Sequence, residues 1–410
     1  MREFFNVIPP DEALETLLDR LEVTVRAVIV PTSQALGRVT AEDVVSPEDL
    51  PPYPRSTMDG YSVRARDTFG ASEALPAFCQ VVGEVAMGSQ PQVSLATGHA
   101  AVAYTGGMLA EGADAVVMVE NTQCVGDNSI EILRPVAPGE NVIQVGEDVR
   151  AGDTVIPKGR HIRPQDIGVL FSLGITEVAV AQRPRVAIVS TGDELVAPEE
   201  SPVPGQVRDI NSYSVASLVR EAGGLPMHIG LVADDYEAQR LAAMDGLERG
   251  DILVFSAGSS VSSRDLTVRV LDELGPPGVL VHGIAHKPGK PTIVALVDGT
   301  PAFGLPGNPV SAMVVFGILV RPVIQALMGR TEPPVTHGVH AKLTKDIRSA
   351  TGREDHVQVK LIESDTGILA DPVFGKSNLI RTLVEADGVV VVPLDDGGLY
   401  GGDEVFVRLY

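Results

Sequence analysis

From Arg185 onward the chain alternates short apolar runs with amphipathic ones, and this alternation restricts its architecture more than any other feature. "VAIVS" is followed by "SYSVASLVREAGG", "HIGLV" by "YEAQRLAAMDGLE", and "ILVFS" by a helical pattern from about Asp265 to Leu274. The runs "VLVHGI", "TIVAL" and "AFGL" then lead into a long helical pattern from about Pro309 to Met328. Strands joined by crossover helices imply a mainly parallel sheet covered on both faces. Sheets of this doubly wound kind take ligands in the loops at the carboxyl ends of their strands.

The flanking text reads differently. "PPDEALETLLDRL" predicts a docked helix with Asp11 as N-cap and Leu14, Leu17, Leu18 and Leu21 on one face. From about 30 to 182, β-rich runs such as "PAFCQVV" and "AVVMV" are cut by Gly and Pro. Beyond "GRTEPPV" short alternating strands return, among them "GVVVVPL" and "EVFVRLY". The predicted class is multidomain α/β: a mixed, mostly β N-terminal region over 1–182, a doubly wound α/β domain over 183–329 and a small C-terminal β domain over 330–410.

A formal net charge of -22 argues against nucleic acid or an anionic membrane as partner, because phosphate surfaces require a basic face. Cys79 and Cys124 lie far apart without C-x-x-C spacing, which suits a reduced, cytoplasmic setting. The apolar run "AMVVFGILV" stops at Arg321, short of the ~20 residues of a spanning helix, so it reads as a buried helix. The eight histidines do not read as a metal site; His337 and His340, the nearest pair, lie in a polar stretch after Pro333-Pro334 and read as solvated loop or strand residues.

Four strand-end loops concentrate chemistry. "STGDEL" holds Ser190, Gly192 and Glu194; "SAGSSVSSRD" holds Gly258, Ser259, Ser260, Ser262 and Asp265. "HKPGKP" holds Lys287 and Lys290, two of only seven lysines; "LPGNPVSA" holds Pro306, Gly307 and Asn308. Small residues let backbone N–H groups approach an anion, and prolines limit the freedom the two lysines would lose on binding one. A solvated turn is the alternative for the lysines taken alone. Neither the G-x-G-x-x-G nor the Walker A pattern is present. Asp59, Asp148, Asp193, Glu194 and Asp265 could supply oxygen ligands to Mg²⁺, or could simply cap helices and turns.

Taken together and in order, "PPYPRSTMDGYSVR", "YTGG", "GEDVRAGD", "STGDEL", "HKPGKP" and "GLPGNPVSA" closely resemble the molybdopterin molybdotransferase family, also called the MoeA or gephyrin E-domain family. The resemblance runs along essentially the whole chain. It implies a MogA-like central domain and an enzyme of molybdenum cofactor biosynthesis. Such an enzyme inserts molybdate into adenylylated molybdopterin with Mg²⁺ present and releases AMP. It also implies an elongated homodimer whose cleft lies between the sheet and C-terminal domains of one protomer and an N-terminal domain of the other. A molybdopterin adenylyltransferase and molybdoenzyme acceptors are the implied partners.

Residue by residue, the resemblance carries catalytic roles to Asp59, Asp148, Glu194, Lys287 and Lys290, and ligand contacts to Thr105, Arg353 and Ser377. Asp265 falls on the family's catalytic aspartate, and Asp59, Glu194 and Asp265 are the implied metal ligands. The "SAGSSVSSRD" loop departs from the family text: it is one residue shorter, lacks a double glycine and carries Arg264. A molybdopterin adenylyltransferase and a non-catalytic pterin-binding scaffold stay open as alternatives, and no residue separates molybdate from tungstate.

Overall fold

The apolar runs after Arg185 become strands, the four central ones buried on both faces and the two edge strands, Leu225–Val232 and Pro277–His282, partly exposed. In the computed structural model of the protein, described over residues 7–256, 261–332, 336–365 and 367–410 with the side chains of 261–265 left aside, they form one six-stranded sheet. Its order is Leu225–Val232, Arg185–Thr191, Ile252–Ser256, Thr300–Leu305, Ile293–Val297, Pro277–His282. Adjacent residues of each strand face opposite sides, which creates two cores. Val186, Ile188, Val254 and Phe303 pack against helices Asn211–Glu221 and Pro309–Val315 with its continuation. Ala187, Val189, Leu253 and Phe255 pack against helices Tyr236–Arg249 and Val261–Glu273.

Five of the six strands run in one direction, and only Ile293–Val297, between Thr300–Leu305 and Pro277–His282, runs antiparallel to its neighbours. The reversal into Thr300–Leu305 follows from a two-residue turn. Asp298 and Gly299 adopt φ of 46° and 83°, the left-handed pair that closes a tight hairpin and opposes Val297 to Thr300. The long helix is α-helical over Pro309–Val315 and Arg321–Leu327, with a π turn over Phe316–Val320 between them. Its 19 residues, with mean hydropathy 2.0, are long and apolar enough to cross a membrane by length and composition alone. In this fold Val315, Phe316, Leu319, Val320, Val323 and Ile324 are wholly buried against the sheet, so its hydrophobicity serves the core.

The first helix, Pro10–Leu18, joins that same core: Ala13 and Leu17 are completely buried among central-domain residues, flanked by Leu14, Leu18 and Leu21. Asp11 is not its N-cap. Pro9 takes that position, Pro10 supplies the first turn with the φ it needs, and Asp11 instead accepts from the Glu12 N–H. The chain next builds a small β unit, pairing Ala27–Pro31 with Glu177–Ala181 beside helix Pro164–Ser172. Between Val45 and Thr154 it leaves that unit to form a separate six-stranded sheet with its own core, including Val63, Ala100, Val117 and Ile130.

At the C-terminal end, Glu354–Ser364 pairs with both Gly367–Pro372 and Gly388–Val392, closing the sheet into a small barrel. Its remaining strands are Gly338–Leu343 and Glu404–Leu409. One strand of this sheet comes from the central domain. His286–Lys287 pairs in parallel with the start of Glu354–Ser364, His286 opposite Glu354 and Lys287 opposite Asp355.

Because Leu17 fills the central core rather than a local one, Leu17→Ala should cost about 2–5 kcal/mol of stability. Urea unfolding followed by circular dichroism checks this; a loss below about 0.5 kcal/mol would show that the helix adds little to that core.

Candidate active site

The two-residue strand sorts side chains by face. In register, Lys287 shares a face with Asp355, and Arg353 joins them two residues back along the strand. The Lys287 Nζ lies 3.2 Å from Asp355 Oδ2, while Arg353 donates from Nε to Oδ1 at 2.8 Å and from Nη2 to Oδ2 at 3.3 Å. Asp355 is only 2% exposed, whereas the Lys287 and Arg353 side chains are 55% and 38% exposed. One buried carboxylate therefore holds two cations whose outer surfaces remain available to a ligand. Charge-assisted, bidentate pairing of this sort positions as well as attracts.

The alternate face carries His286, Glu354 and His356. His356 Nε2 is 2.6 Å from Glu354 Oε1, and the two imidazole rings meet edge-on with centroids 4.5 Å apart. The His286 Nδ1 is 2.7 Å from the Pro288 carbonyl oxygen. Burial, reinforced by the neighbouring His356, pushes the His286 pKa down to about 4. The hydrogen bond from His356 holds the Glu354 carboxyl below the usual range.

Both faces border a cleft of about 820 Å³ between the central domain and the barrel, lined by Lys287, Lys290, Pro306, Asn308, Arg353 and Ser377 among others. The turn Pro288–Pro291 is seated on the long helix. Gly289 has φ 125°, and a Cβ there would come within 2.3 Å of Val315 Cγ2, so only glycine fits without displacement. Asn211 Nδ2 donates to the Gly307 carbonyl and to Ser256 Oγ, which ties the 306–308 loop to a strand end. Asn308 Nδ2 donates to Ser377 Oγ at 2.9 Å, and the Ser377 carbonyl accepts from Val310 N–H, linking that loop to the barrel.

Beyond the end of Arg185–Thr191 lies a carboxylate cluster. Glu194 folds back over Gly192, whose φ is 150°; a Cβ there would sit 2.7 Å from Glu194 Oε2. The Asp234 N–H donates to Asp193 Oδ1, and Asp234 Oδ1 is buried without a partner. Burial, then the charges of Asp193 and Glu194, raise the Asp234 pKa. Ser190 Oγ, Thr191 Oγ1 and Asn211 Oδ1 are likewise buried without hydrogen bonds. Strand-end polar atoms left this way are suited to a ligand or ion that completes them.

The sequence candidates thus divide. Lys287, Lys290, Pro306, Asn308, Arg353 and Ser377 line one cleft, with Gly307 held beside it, while Ser190, Gly192 and Glu194 belong to the strand-end cluster. Asp59 and Thr105 meet each other instead: Asp59 Oδ1 accepts from Thr105 N at 2.8 Å and Oγ1 at 3.0 Å, bonds that lower the Asp59 pKa. They and Asp148, whose N–H donates to the Leu50 carbonyl, are exposed in the N-terminal region and do not line this chain's cleft. Gly258, Ser259, Ser260, Ser262 and Asp265 lie outside the described residues and side chains.

Asp234, Asp355, His286 and His356 were not selected from sequence. The i,i+2 spacing of Arg353 and Asp355 in a strand was a usable signal for one face; the histidines, 70 positions apart, offered none before the strands were paired. The sequence singles out no histidine cluster; among the described residues, donor atoms of His286, Glu354 and His356 lie within 4.8 Å of one another.

Three family models match the chain: "MoeA N-terminal region (domain I and II)" over residues 8–174, "Probable molybdopterin binding domain" over 187–326 and "MoeA C-terminal region (domain IV)" over 340–410. The chain is 33% identical to a molybdopterin molybdenumtransferase of Nostoc sp., covering 95% of this chain and 90% of the relative. It is 31% identical to the enzyme of the same name from Bacillus subtilis, over 100% and 95%. The crystal structure of a molybdopterin biosynthesis MoeA protein from Pyrococcus horikoshii superposes with TM-score 0.85 at 33% identity, over 99% of this chain and 100% of that one.

Two measurements follow from the geometry. Asp355→Ala removes charge-assisted hydrogen bonds to two cations and should lower stability by about 1–3 kcal/mol in chemical denaturation; no change would mean the clamp is not formed. In NMR titration His286 should stay neutral until pH falls to about 4. Since its folded pKa lies below the ordinary value near 6.5, its contribution to stability is complete above ~6.5 and is lost as pH falls toward the folded value. A His286 midpoint near 6.5 would contradict this.

Proposed function

This chain belongs to the MoeA family of molybdopterin molybdenumtransferases, and on that premise we propose that it performs the metal-insertion step of molybdenum cofactor biosynthesis. The substrates in this reading are adenylylated molybdopterin and molybdate, and AMP is a product. The observation that carries it is the clamp of Lys287 and Arg353 on buried Asp355, set in the cleft beside the 306–308 loop. In a protein of net charge -22, a locally built cationic face selects a multiply charged anion while the remaining surface repels it.

Within this reading Lys287 and Arg353 bind oxygens of the adenylate phosphates or of molybdate. Asp355 keeps both cations directed at the cleft, and Lys290 adds charge at the far end of the turn. Asn308 and Ser377 hold the two walls at a constant separation. The carboxylates Glu194 and Asp234 fit Mg²⁺: the buried, unpartnered Asp234 oxygen and its raised pKa are what a divalent cation would relieve. Asp265 is the third oxygen donor in this reading. Bound there, Mg²⁺ would supply neutralisation of charge at the phosphoanhydride.

Asp59, Thr105 and Asp148, remote from this chain's own cleft, serve a partner's cleft in a homodimer on this reading. Asp59 is then a residue facing the substrate from the second protomer, oriented by its two bonds from Thr105.

AMP release from adenylylated molybdopterin, measured with and without molybdate and Mg²⁺, tests the reaction. Wild type should release AMP only with both, and Lys287→Ala or Arg353→Ala should lower kcat/KM roughly 100-fold or more, as removal of a preorganised charge contact does. Tight binding without release would convert the reading to a scaffold. Shared clefts can be tested by mixing: Asp59→Asn and Lys287→Ala proteins, each inactive alone, should recover part of the activity when co-assembled. No recovery would assign every group to a single chain.

A further inference from the structure

The wall of the cleft carries a second set of donors that the molybdate reaction does not use. We propose that His286, Glu354 and His356 bind a divalent transition cation of the zinc class, at a site distinct from the Mg²⁺ carboxylates.

The geometry is that of a three-ligand centre. One donor atom from each residue lies within 4.8 Å of the others, and ligands at ~2.1 Å around a tetrahedral ion sit roughly 3.4 Å apart, within reach of small side-chain rotations. The fold sets the arrangement through backbone pairing: His286 stands opposite Glu354 in register, and His356 follows two residues later on the same face.

A second observation is independent of that proximity. His286 is 1% exposed, and its Nε2 is buried with no hydrogen-bond partner. Its Nδ1 lies 2.7 Å from the Pro288 carbonyl, which fixes the proton on Nδ1 and the lone pair on Nε2. Backbone carbonyls commonly orient metal-binding histidines in this manner. The Glu354–His356 hydrogen bond satisfies those two residues by itself, but it leaves His286 Nε2 unpaired at a cost of about 1–3 kcal/mol. A cation shared by all three removes that deficit.

Donor chemistry decides the class of ion. Two imidazoles and one carboxylate suit Zn²⁺, Co²⁺ or Ni²⁺, whereas Mg²⁺ prefers an all-oxygen shell. Three protein ligands leave a position for water or for an oxygen of an anion in the cleft, as in metal centres that take part in binding or catalysis rather than structure alone. His286 and His356 both border the cleft, so such a position would adjoin the Lys287–Arg353 clamp on the neighbouring face.

The test uses the full-length protein after chelator treatment and dialysis. Added Co²⁺ should bind at one equivalent with the intense visible bands of a tetrahedral site, and Zn²⁺ should displace it. His286→Asn and His356→Phe should each weaken Co²⁺ binding at least tenfold and abolish those bands. Both variants must keep the wild-type circular dichroism spectrum, and His356→Asn supplies a second substitution if His356→Phe fails to fold. Glu194→Gln should leave the bands in place, which separates this site from the carboxylate cluster. Folded wild type that binds no Co²⁺, or Co²⁺ binding that survives both histidine substitutions, would overturn the proposal. Neither result depends on AMP release, so this site and the reaction assigned above stand or fall separately.

Discussion

The pairing of two residues, His286 and Lys287, with the first strand of the C-terminal barrel is the contact on which the cleft depends. It joins a loop of the central domain to another sheet through backbone hydrogen bonds, including Glu354 N–H to the Ala285 carbonyl at 2.8 Å. Since a strand alternates its faces, a single register decides both the cation clamp and the imidazole cluster. A one-residue slip would exchange them. The N-terminal segment braces the same loop, with Ala285 N–H donating to the Ile8 carbonyl and Ile8 bridging Ile284.

Charge is organised by burial rather than by abundance. Asp355 gives up nearly all contact with water, a cost repaid only because two cations and three charge-assisted bonds meet it. The cations keep part of their surface open, which lets them serve a ligand as well as the fold. At the strand end the balance is opposite: Asp193, Glu194 and Asp234 gather without a cation among the described side chains, and burial first, then the neighbouring charges, raise the Asp234 pKa. The carboxylates gather beyond the strands at one side of the central sheet, whereas the cation clamp forms where the loop from its opposite edge meets the barrel.

Much of this was legible in the linear text. The alternation after Arg185 identified the doubly wound domain, and the four strand-end loops were recognised from Gly, Pro and small polar residues beside apolar runs. The Asp298-Gly299 hairpin was missed as a reversal of direction, although its two-residue spacing carried the information. Asp11 has the side chain of an N-cap, yet the helix starts one residue earlier because Pro10 supplies the φ of its first turn. The lysines drew attention by their scarcity. Asp355 did not, because a carboxylate among 54 acidic residues has no distinction until its burial and partners are known.

The sequence alone determined the periods of its elements, the conformational freedom at its glycines and prolines, and the chemical types at its strand ends, since these are local properties of neighbouring residues. Only tertiary structure decided which of those groups meet. His286 and His356, or Lys287 and Arg353, become neighbours through one parallel strand pairing across nearly seventy residues of chain, and no local preference encodes that register. Asp59 and Thr105 illustrate the converse: both sit in recognisable motifs, yet the fold pairs them with each other and sets them apart from their own chain's cleft.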